Sequence, residues 1–575
     1  MAVDAPLQPE SSAQPTNSQG AAGATSHTRR LAQSTLIVMV AFAAAKLVGL
    51  AQTFLIANVF GVGREWDSYV TANSIPELIF TLIAGGALAN AFIPVFTGYL
   101  AKEDRDSAWK LASHVINMVF LVTIIASALA FLLAPWLVAN VVASGFAASQ
   151  QAETVSIMRL LLVGTIIFSI SGILMGILQS FNRFLLPALA PIMYDVGLLF
   201  GVIVLSRRFG VHGIALGAVI GAVLHLGIQI PGIIRVRARW IPKLGLRDPE
   251  LWHIIRLMIP LVIGMFAFSY SFIVMNNIAS RLGTGAVSAL SWGWRLMQIP
   301  ETLIGTAMGT VILPTLAALS ANSDLKGKRD AMSGALRFIL LVTIPSAIGL
   351  IVVGRPLISL LEGGAFDAAA TALVYNALVF FMLGMVTQSM VEVGARAFYA
   401  DKDTWLPLVA SVANAVLNIA LAFVFSGVMN VQASGFSNQA AAAFPSLGLR
   451  VDTGNVGGLA LAQSIGFTAE ITVLLLVLRR RWHGLNERAI LTTTLKTTIA
   501  SLIMAAAILI IHAGLTALDL FGRGRIVTIG MIGIEVVIGA IVFFAAAWLL
   551  RTDELRLLGR LLRRRAAPTP ETALA

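Results

Sequence analysis

The chain alternates long apolar runs with short polar loops. Runs such as 115–136 and 527–550 are apolar nearly throughout, and each reaches the roughly 20 residues that a helix needs to cross a hydrocarbon core. The pattern predicts about 14 transmembrane helices, near 31–59, 67–97, 109–139, 154–179, 186–206, 211–234, 253–280, 286–317, 332–353, 369–396, 404–427, 455–478, 490–514 and 525–550. The second span carries Pro76 and the Gly85-Gly86 pair. Such breakers are tolerated in a membrane where neighbouring helices or a cavity satisfy the freed backbone groups.

The spans repeat. IANVFGVG from Ile56, IPELI from Ile75 and AFIP ending at Pro94 return as IASRLGTG from Ile278, IPETLI from Ile299 and VILP ending at Pro314. NRFLLP ending at Pro187 and GIALG from Gly213 return as DTWLP ending at Pro407 and GLALA from Gly458. The separation is about 220 residues at first and about 245 after the Gly/Ser/Asn-rich loop near 426–455, as one loop insertion requires. Six spans per unit leave both copies in the same orientation, related by an axis along the membrane normal. The predicted fold class is an all-α polytopic membrane protein with two parallel six-helix repeats plus two C-terminal helices. Its expected parts are a disordered tail (1–30), an N-lobe (31–234), a C-lobe (253–480), a helical pair (488–551) and a basic tail (552–575).

Composition agrees with this reading and narrows it. Hydrophobic residues make up 58% of the 575 and charged residues 12%, about half the charged share of an ordinary soluble protein. The net charge of +12 does not point to nucleic acid, because topology accounts for it. With the N-terminus inside, the cytoplasmic loops collect Arg29, Arg30, Lys102, Arg105, Lys110, the run from Arg235 to Arg247, Lys326, Lys328, Arg329, Arg479, Arg480, Arg481 and the tail from Arg551 to Arg565. That is the positive-inside bias, and it puts both termini in the cytoplasm. The absence of Cys excludes a disulfide framework, a thiolate metal site and a Cys nucleophile. The first 28 residues lack a basic start followed by a short apolar core, so they read as a tail and not as a cleaved signal peptide.

A charge inside a span is costly and usually faces a partner or a water-filled cavity. Those found are Lys46, Asp67 at the mouth of span 2, Glu77, Asp195, His225, Arg295, Glu301, Glu392, Arg396 and Glu470. Arg295, Gln298 and Thr302 are spaced to share one helix face, and Asn73, Glu77 and Thr81 do the same in the equivalent span of the other repeat. Together these faces are expected to wet the seam between the lobes. Arg295 offers the planar fork that suits a phosphate. Glu392 and Arg396, four residues apart, are expected to pair with each other. Asp195, His225 and Glu470 are expected to be hydrogen-bonded packing residues.

Catalytic and nucleotide motifs are missing. No GxxxxGK[ST], HExxH, GxSxG or Cys/His cluster occurs, so the chain reads as neither an ATPase, a metalloenzyme nor a hydrolase. No cofactor and no metal is expected, and the reading is of a transporter, not an enzyme.

Four stretches carry a family resemblance: 46–100 (KLVGLAQTFLIANVFGVGREWDSYVTANSIPELI and onward), 176–191 (GILQSFNRFLLPALAP), 294–317 (WRLMQIPETLIGTAMGTVILPTLA) and 396–407 (RAFYADKDTWLP). In order and spacing they resemble the MurJ/MviN family of lipid II flippases, within the MOP exporter superfamily. The resemblance implies two six-helix lobes around a cavity, with two extra helices forming a lipid groove. It also implies alternating access in the bacterial inner membrane, an undecaprenyl-pyrophosphate-linked substrate, and cell-wall synthesis proteins as partners. The family's span 8 arginine matches Arg295, its first span 1 arginine falls on Lys46, and the acidic residue before span 2 matches Asp67. Elsewhere the chain departs: the second span 1 arginine falls on Gln52, the span 8 glutamate on Gln298, and the span 2 Arg-Arg pair on Phe80 and Thr81. The expected substrate-binding set is therefore Lys46, Asp67, Arg295, Gln52, Glu77 and Gln298. Some relatives bind sodium through aspartates of spans 7 and 11, where this chain offers Asn276, Asn277, Asn414 and Asn418, so sodium coupling is not expected.

Other readings are a flippase for another polyprenyl-linked glycan, a MATE-like antiporter, a membrane transferase acting on the lipid carrier, and a non-transporting scaffold. An antiporter would bind cations through carboxylates at shared cavity positions. A transferase would need acidic pairs near one membrane face, and the loops show none.

Overall fold

The computed structural model describes residues 48–84, 86–426, 456–517, 524–552 and 554. The tails at 1–30 and beyond 554, Lys46 and the loop 427–455 lie outside the described residues. The chain is helical, and among the described residues there is no β-strand.

Fifteen helices account for the predicted spans. The first span is represented by α1, Val48–Phe60. The second is two helices, α2 (Arg64–Ile83) and α3 (Gly86–Ala101), separated near the Gly85-Gly86 pair that marked it in the sequence. Spans 3 to 6 are α4 (Arg105–Val142), α5 (Ala148–Ser180), α6 (Leu185–Phe209) and α7 (Val211–Arg235). Spans 7 to 12 are α8 (Pro249–Ser280), α9 (Ala286–Ala321), α10 (Leu325–Ser359), α11 (Ala368–Ala400), α12 (Trp405–Phe425) and α13 (Val456–Arg481). The last two are α14 (Glu487–Ala517) and α15 (Arg525–Leu549). Twelve of these helices, α4 to α15, are long and apolar enough to cross a membrane. This is a multi-pass membrane protein.

The repeat shows in the helix starts. Asp104 caps α4 by accepting from the Ser107 N–H at 3.0 Å, and Asp324 caps α10 by accepting from the Gly327 N–H at 2.8 Å. A side-chain oxygen there satisfies an N–H that the helix itself leaves unpaired. Lipid supplies little drive to press apolar helices together, so small residues that let backbones approach do much of the packing. Gly197 and Gly201 of α6 meet Gly213, Gly217 and Gly221 of α7. A Cβ on Gly197 would lie 2.3 Å from the Gly221 Cα, and one on Gly217 would lie 2.6 Å from the Gly201 Cα.

For brevity α1–α7 are called the N-lobe and α8–α13 the C-lobe. Helix α11 threads the C-lobe, burying Tyr375, Phe381, Met385, Val393 and Phe398. Helices α14 and α15 lean on α10, where Met504, Ile508, Phe543 and Ala547 pack with Leu341 and Val353. Exposed Leu132, Trp136, Ile510, Val536 and Ile541 form an apolar exterior suited to acyl chains.

Candidate functional site: a chamber between the lobes

The equivalent helices α2 and α9 meet across the seam, and each brings a polar stripe. Two adjoining cavities lie there, of about 370 and 450 Å³, with Tyr69, Asn73, Glu77 and Arg295 forming part of the wall of both. Gln52 of α1 and Asp195 of α6 line the first; Asn276 of α8 and Gln298 of α9 line the second. Four of the expected binding residues, Gln52, Glu77, Arg295 and Gln298, thus share one chamber. Lys46 lies outside the described residues.

Asp67 sits elsewhere. Fully buried, its carboxylate accepts from the N–H groups of Gly285 at 2.6 Å and Ser288 at 2.7 Å, and from the Ser288 hydroxyl. Gly285 is the cap position of α9 and has no side chain to offer its first turn. Asp67, in the first turn of α2, supplies the missing acceptor from the other lobe, and its charge complements the positive end of the α9 dipole. It is a latch between the lobes, set apart from the chamber wall.

Further interlobe contacts gather at the same end. The Ala365 N–H donates to the Asn58 carbonyl at 2.8 Å, the Gly145 N–H donates to the Ser280 hydroxyl at 3.0 Å, and Arg281 donates to Ser144 at 2.9 Å. Gly61, at φ +58°, packs so closely that a Cβ would lie 2.0 Å from the Ala365 carbonyl oxygen. A turn or so deeper, Asn276 donates to Ser74 at 3.3 Å. At the opposite end, among the described residues, the ties run to the start of the first C-lobe helix: His114 of α4 lies 2.8 Å from Asp248, the N-cap of α8, and Leu251 and Ile254 of α8 pack in one core with Phe96 and Trp109. The linker after α7 is also tied to α4 there, by Asn117 donating to the carbonyls of Ile241 and Lys243.

Arg295 is exposed to the chamber and, among the described residues, held by no hydrogen bond or ion pair. Its guanidinium stands within electrostatic reach of the Glu77 and Asp195 carboxylates. Asn73 donates to Glu77 at 3.1 Å and keeps that carboxylate on the wall. The described lining therefore sets one guanidinium against two carboxylates. Thr81 and Thr302, expected on the same faces, do not line the chamber; α2 ends at Ile83, and Thr302 opens a π-helical turn, Thr302–Thr306.

Sequence reasoning missed the aromatic part of the wall. Tyr69, Tyr194, Phe268, Phe272 and Trp294 line the cavities, with Phe272 and Trp294 edge-on at 4.7 Å. Extending the Asn73–Glu77 stripe back by one turn reaches Tyr69 and was the available signal. Asp195, expected in packing, faces the chamber. His225 and Glu470 are hydrogen-bonded inside their lobes, to Ser171 at 2.6 Å and Asn414 at 2.7 Å. Glu392 and Arg396 pair at 3.3 Å. Of the four asparagines at the possible sodium positions, Asn414 and Asn418 donate to Glu470 and Gln463, and Asn277 accepts from Ser144.

The family model described as lipid II flippase MurJ matches residues 56–521. The chain belongs to that family. The lipid II flippase MurJ of Burkholderia cenocepacia is 29% identical over 391 residues, covering 66% of this chain and 75% of that protein. A Rhizobium tropici protein named "probable lipid II flippase MurJ" is 26% identical over 544 residues, covering 92% of this chain and 96% of the relative. In fold, the chain is similar to a solved lipid II flippase MurJ in an inward closed conformation, with a TM-score of 0.71 at 23% identity over 90% of this chain and all of that one. It also resembles an inward-facing multidrug MATE transporter of the MOP superfamily, with a TM-score of 0.64 at 15% identity over 77% of this chain and 96% of that one. The MurJ-family fold accounts for the two lobes and the added helical pair.

Proposed function

We propose that this chain is a flippase for lipid II, the undecaprenyl-pyrophosphate-linked peptidoglycan precursor, working by alternating access in the bacterial cytoplasmic membrane. The observation that carries the reading is Arg295: a guanidinium exposed to a chamber between the two lobes and, among the described residues, held by no hydrogen bond or ion pair. The positive-inside pattern puts the Asp67 latch on the periplasmic side and both termini in the cytoplasm. The headgroup enters from the cytoplasmic side, and Arg295, with Lys46, holds the diphosphate. Gln52, Glu77 and Gln298 meet the polar groups around it. The isoprenoid stays in lipid along α14 and α15. Release follows when the latch opens and the opposite end closes. Countering the diphosphate charge matters because a charge taken from water into a low-dielectric passage otherwise costs several kcal/mol or more. Cell-wall synthesis proteins that consume the product are the expected partners.

The two chamber carboxylates favour a second reading, a polyprenyl-linked glycan whose headgroup carries an amine. One experiment addresses both. In a strain depleted of its own flippase, a lipid II-cleaving toxin is added outside the cells. Expression of this chain should make lipid II cleavable, and Arg295→Ala should leave it protected. Full cleavage with Arg295→Ala would remove that residue from the reading. Protection with the wild-type chain would turn the assignment toward another glycan.

A further inference from the structure

We propose that Glu301 is a proton-binding site inside the C-lobe, loaded past Glu392 and coupled to movement of the chamber helix α9. The coupling rests on the transport reading above; the binding does not.

Glu301 ends the segment Ile299-Pro300-Glu301, the repeat copy of Ile75-Pro76-Glu77. Glu77 opens into the chamber, whereas Glu301 is turned into the lobe and is 4% exposed. One carboxylate oxygen has no hydrogen-bond partner, and the other has only the Thr302 hydroxyl at 3.4 Å. Across from it stands Ser389 of α11, fully buried, its hydroxyl also without a partner. Both converge on Gly305, where a Cβ would lie 2.9 Å from the Glu301 Oε1, 2.9 Å from the Ser389 Cα and 3.0 Å from its Cβ. Two buried polar side chains packed against the same glycine, neither satisfied, are rare in a settled protein interior and call for an occupant bound to the carboxylate itself.

The surrounding charges define that occupant. Helix α11 contributes Glu392 and Arg396, already paired with each other, with the Glu392 side chain 36% exposed. Glu392 is within electrostatic reach of Glu301 and also of Glu470 on α13, which Asn414 of α12 holds at 2.7 Å. Tyr399 lies near the same pair. Helix α10 has no ionisable residue between Arg337 and Arg355, and Arg337 is engaged by Glu554 at 3.1 Å. Among the described residues no cation lies within ion-pair distance of Glu301. An ionised carboxylate in such a place has no counter-charge and only one long bond from a hydroxyl, while a protonated one has no charge to offset and an O–H of its own to donate. No three acidic or histidine groups among the described residues are close enough to hold a metal ion. The occupant that fits is a single proton, taken from water at the exposed Glu392 and returned by the same route.

Position supplies the coupling. Glu301 immediately precedes the π turn of α9, and such turns recur at functional sites. Gln298 and Arg295 lie one and two turns before it, and Asp67 holds the start of the same helix. Ionising Glu301 requires water to reach the contact of Gly305 with Ser389, which parts α9 from α11 and moves the helix that carries the chamber's guanidinium.

The test uses the full-length protein and two readouts. Infrared difference spectra between acid and alkaline pH should show a titrating carboxyl band that disappears in Glu301→Gln and persists in Glu77→Gln. An unchanged band in Glu301→Gln would overturn the site. Glu301→Gln mimics the neutral acid, so it should fold with wild-type thermal stability, and Ser389→Ala should shift the band without removing it. In proteoliposomes, flipping by Glu301→Gln should vary less than about twofold between pH 6 and 8, where the wild type varies about fivefold or more. Loss of the band with an unchanged pH profile would overturn the coupling. A wild-type chain that flips nothing at any pH would overturn the transport reading, and the infrared result alone would then decide the site.

Discussion

Glu77 and Glu301 hold the same place in the two repeats, each directly after an Ile-Pro pair, yet their surroundings are opposite. Glu77 faces the chamber, takes a hydrogen bond from Asn73 and looks toward Arg295. Glu301 is enclosed in its lobe without a counter-charge. The helix geometry after each residue separates them. The N-lobe copy stops at Ile83 and resumes at Gly86, while the C-lobe copy runs on through a π turn to Ala321. Duplication thus copied a motif and left the backbone to decide whether its carboxylate serves the chamber or the interior.

The comparison is most severely tested at Arg295. If that guanidinium is what gives the chamber its anion site, Arg295→Ala should lower flipping in proteoliposomes by about 100-fold or more, the loss expected for a desolvated charged partner worth roughly 3 kcal/mol. Arg295→Lys should recover part of it, because charge is kept and the fork is lost. Next in size is Gly305→Ala, which drives a methyl between Glu301 and Ser389. Overpacking of this kind costs about 1–3 kcal/mol, and a lowered melting temperature in detergent would report it; unchanged melting would mean that Glu301 is less enclosed than described.

Asp67→Asn tests the latch that fixes one end of the chamber. Losing the charge on three hydrogen bonds should weaken closure by about 1–3 kcal/mol, a shift in population of about fivefold to a hundredfold. The native chain has no cysteine, so a single cysteine at Val62 should react faster with an impermeant thiol reagent in the Asp67→Asn background. Equal reactivity would show that the latch does not hold this end. Glu77→Gln should have a smaller effect, about threefold to tenfold on flipping, because it removes a neighbour of Arg295 and not the anchor.

The smallest effect lies outside the spans. Burial alone would raise the Asp401 carboxyl, but hydrogen bonds from Lys328 and Ser320, with the Lys328 charge, outweigh it and hold it below the usual carboxylate range. A depressed folded value contributes stability above the unfolded one, near pH 4, which is lost as pH falls through the folded value. Melting temperature should therefore fall on acidification below about pH 4, and Asp401→Asn should remove that part of the decline. An identical acid profile in Asp401→Asn would contradict the assignment.

Much of the fold was legible because a bilayer forces apolar runs of fixed length. The repeat was legible because Pro and Gly hold positions where backbone geometry is constrained. The stripes of Asn73, Glu77, Arg295 and Gln298 predicted the chamber wall by helical spacing alone. The role of Asp67 was not legible, since the amides it accepts from belong to Gly285 and Ser288, more than two hundred residues on. Asp195 was read as packing because its own span carries no polar stripe to mark the facing side. The sequence of Ile299-Pro300-Glu301 gives no hint of the π turn that follows, and that turn is what separates Glu301 from Glu77.

The central claim is that the diphosphate headgroup passes through the chamber between the lobes. It is tested most directly by a photoreactive polyprenyl-diphosphate-linked probe, with labelled residues mapped by mass spectrometry. Labelling of Gln52, Tyr69 and Gln298, competed by lipid II and lost in Arg295→Ala, is the result expected. Labelling confined to lipid-facing positions such as Leu132 or Ile541, unaffected by Arg295→Ala, would contradict it.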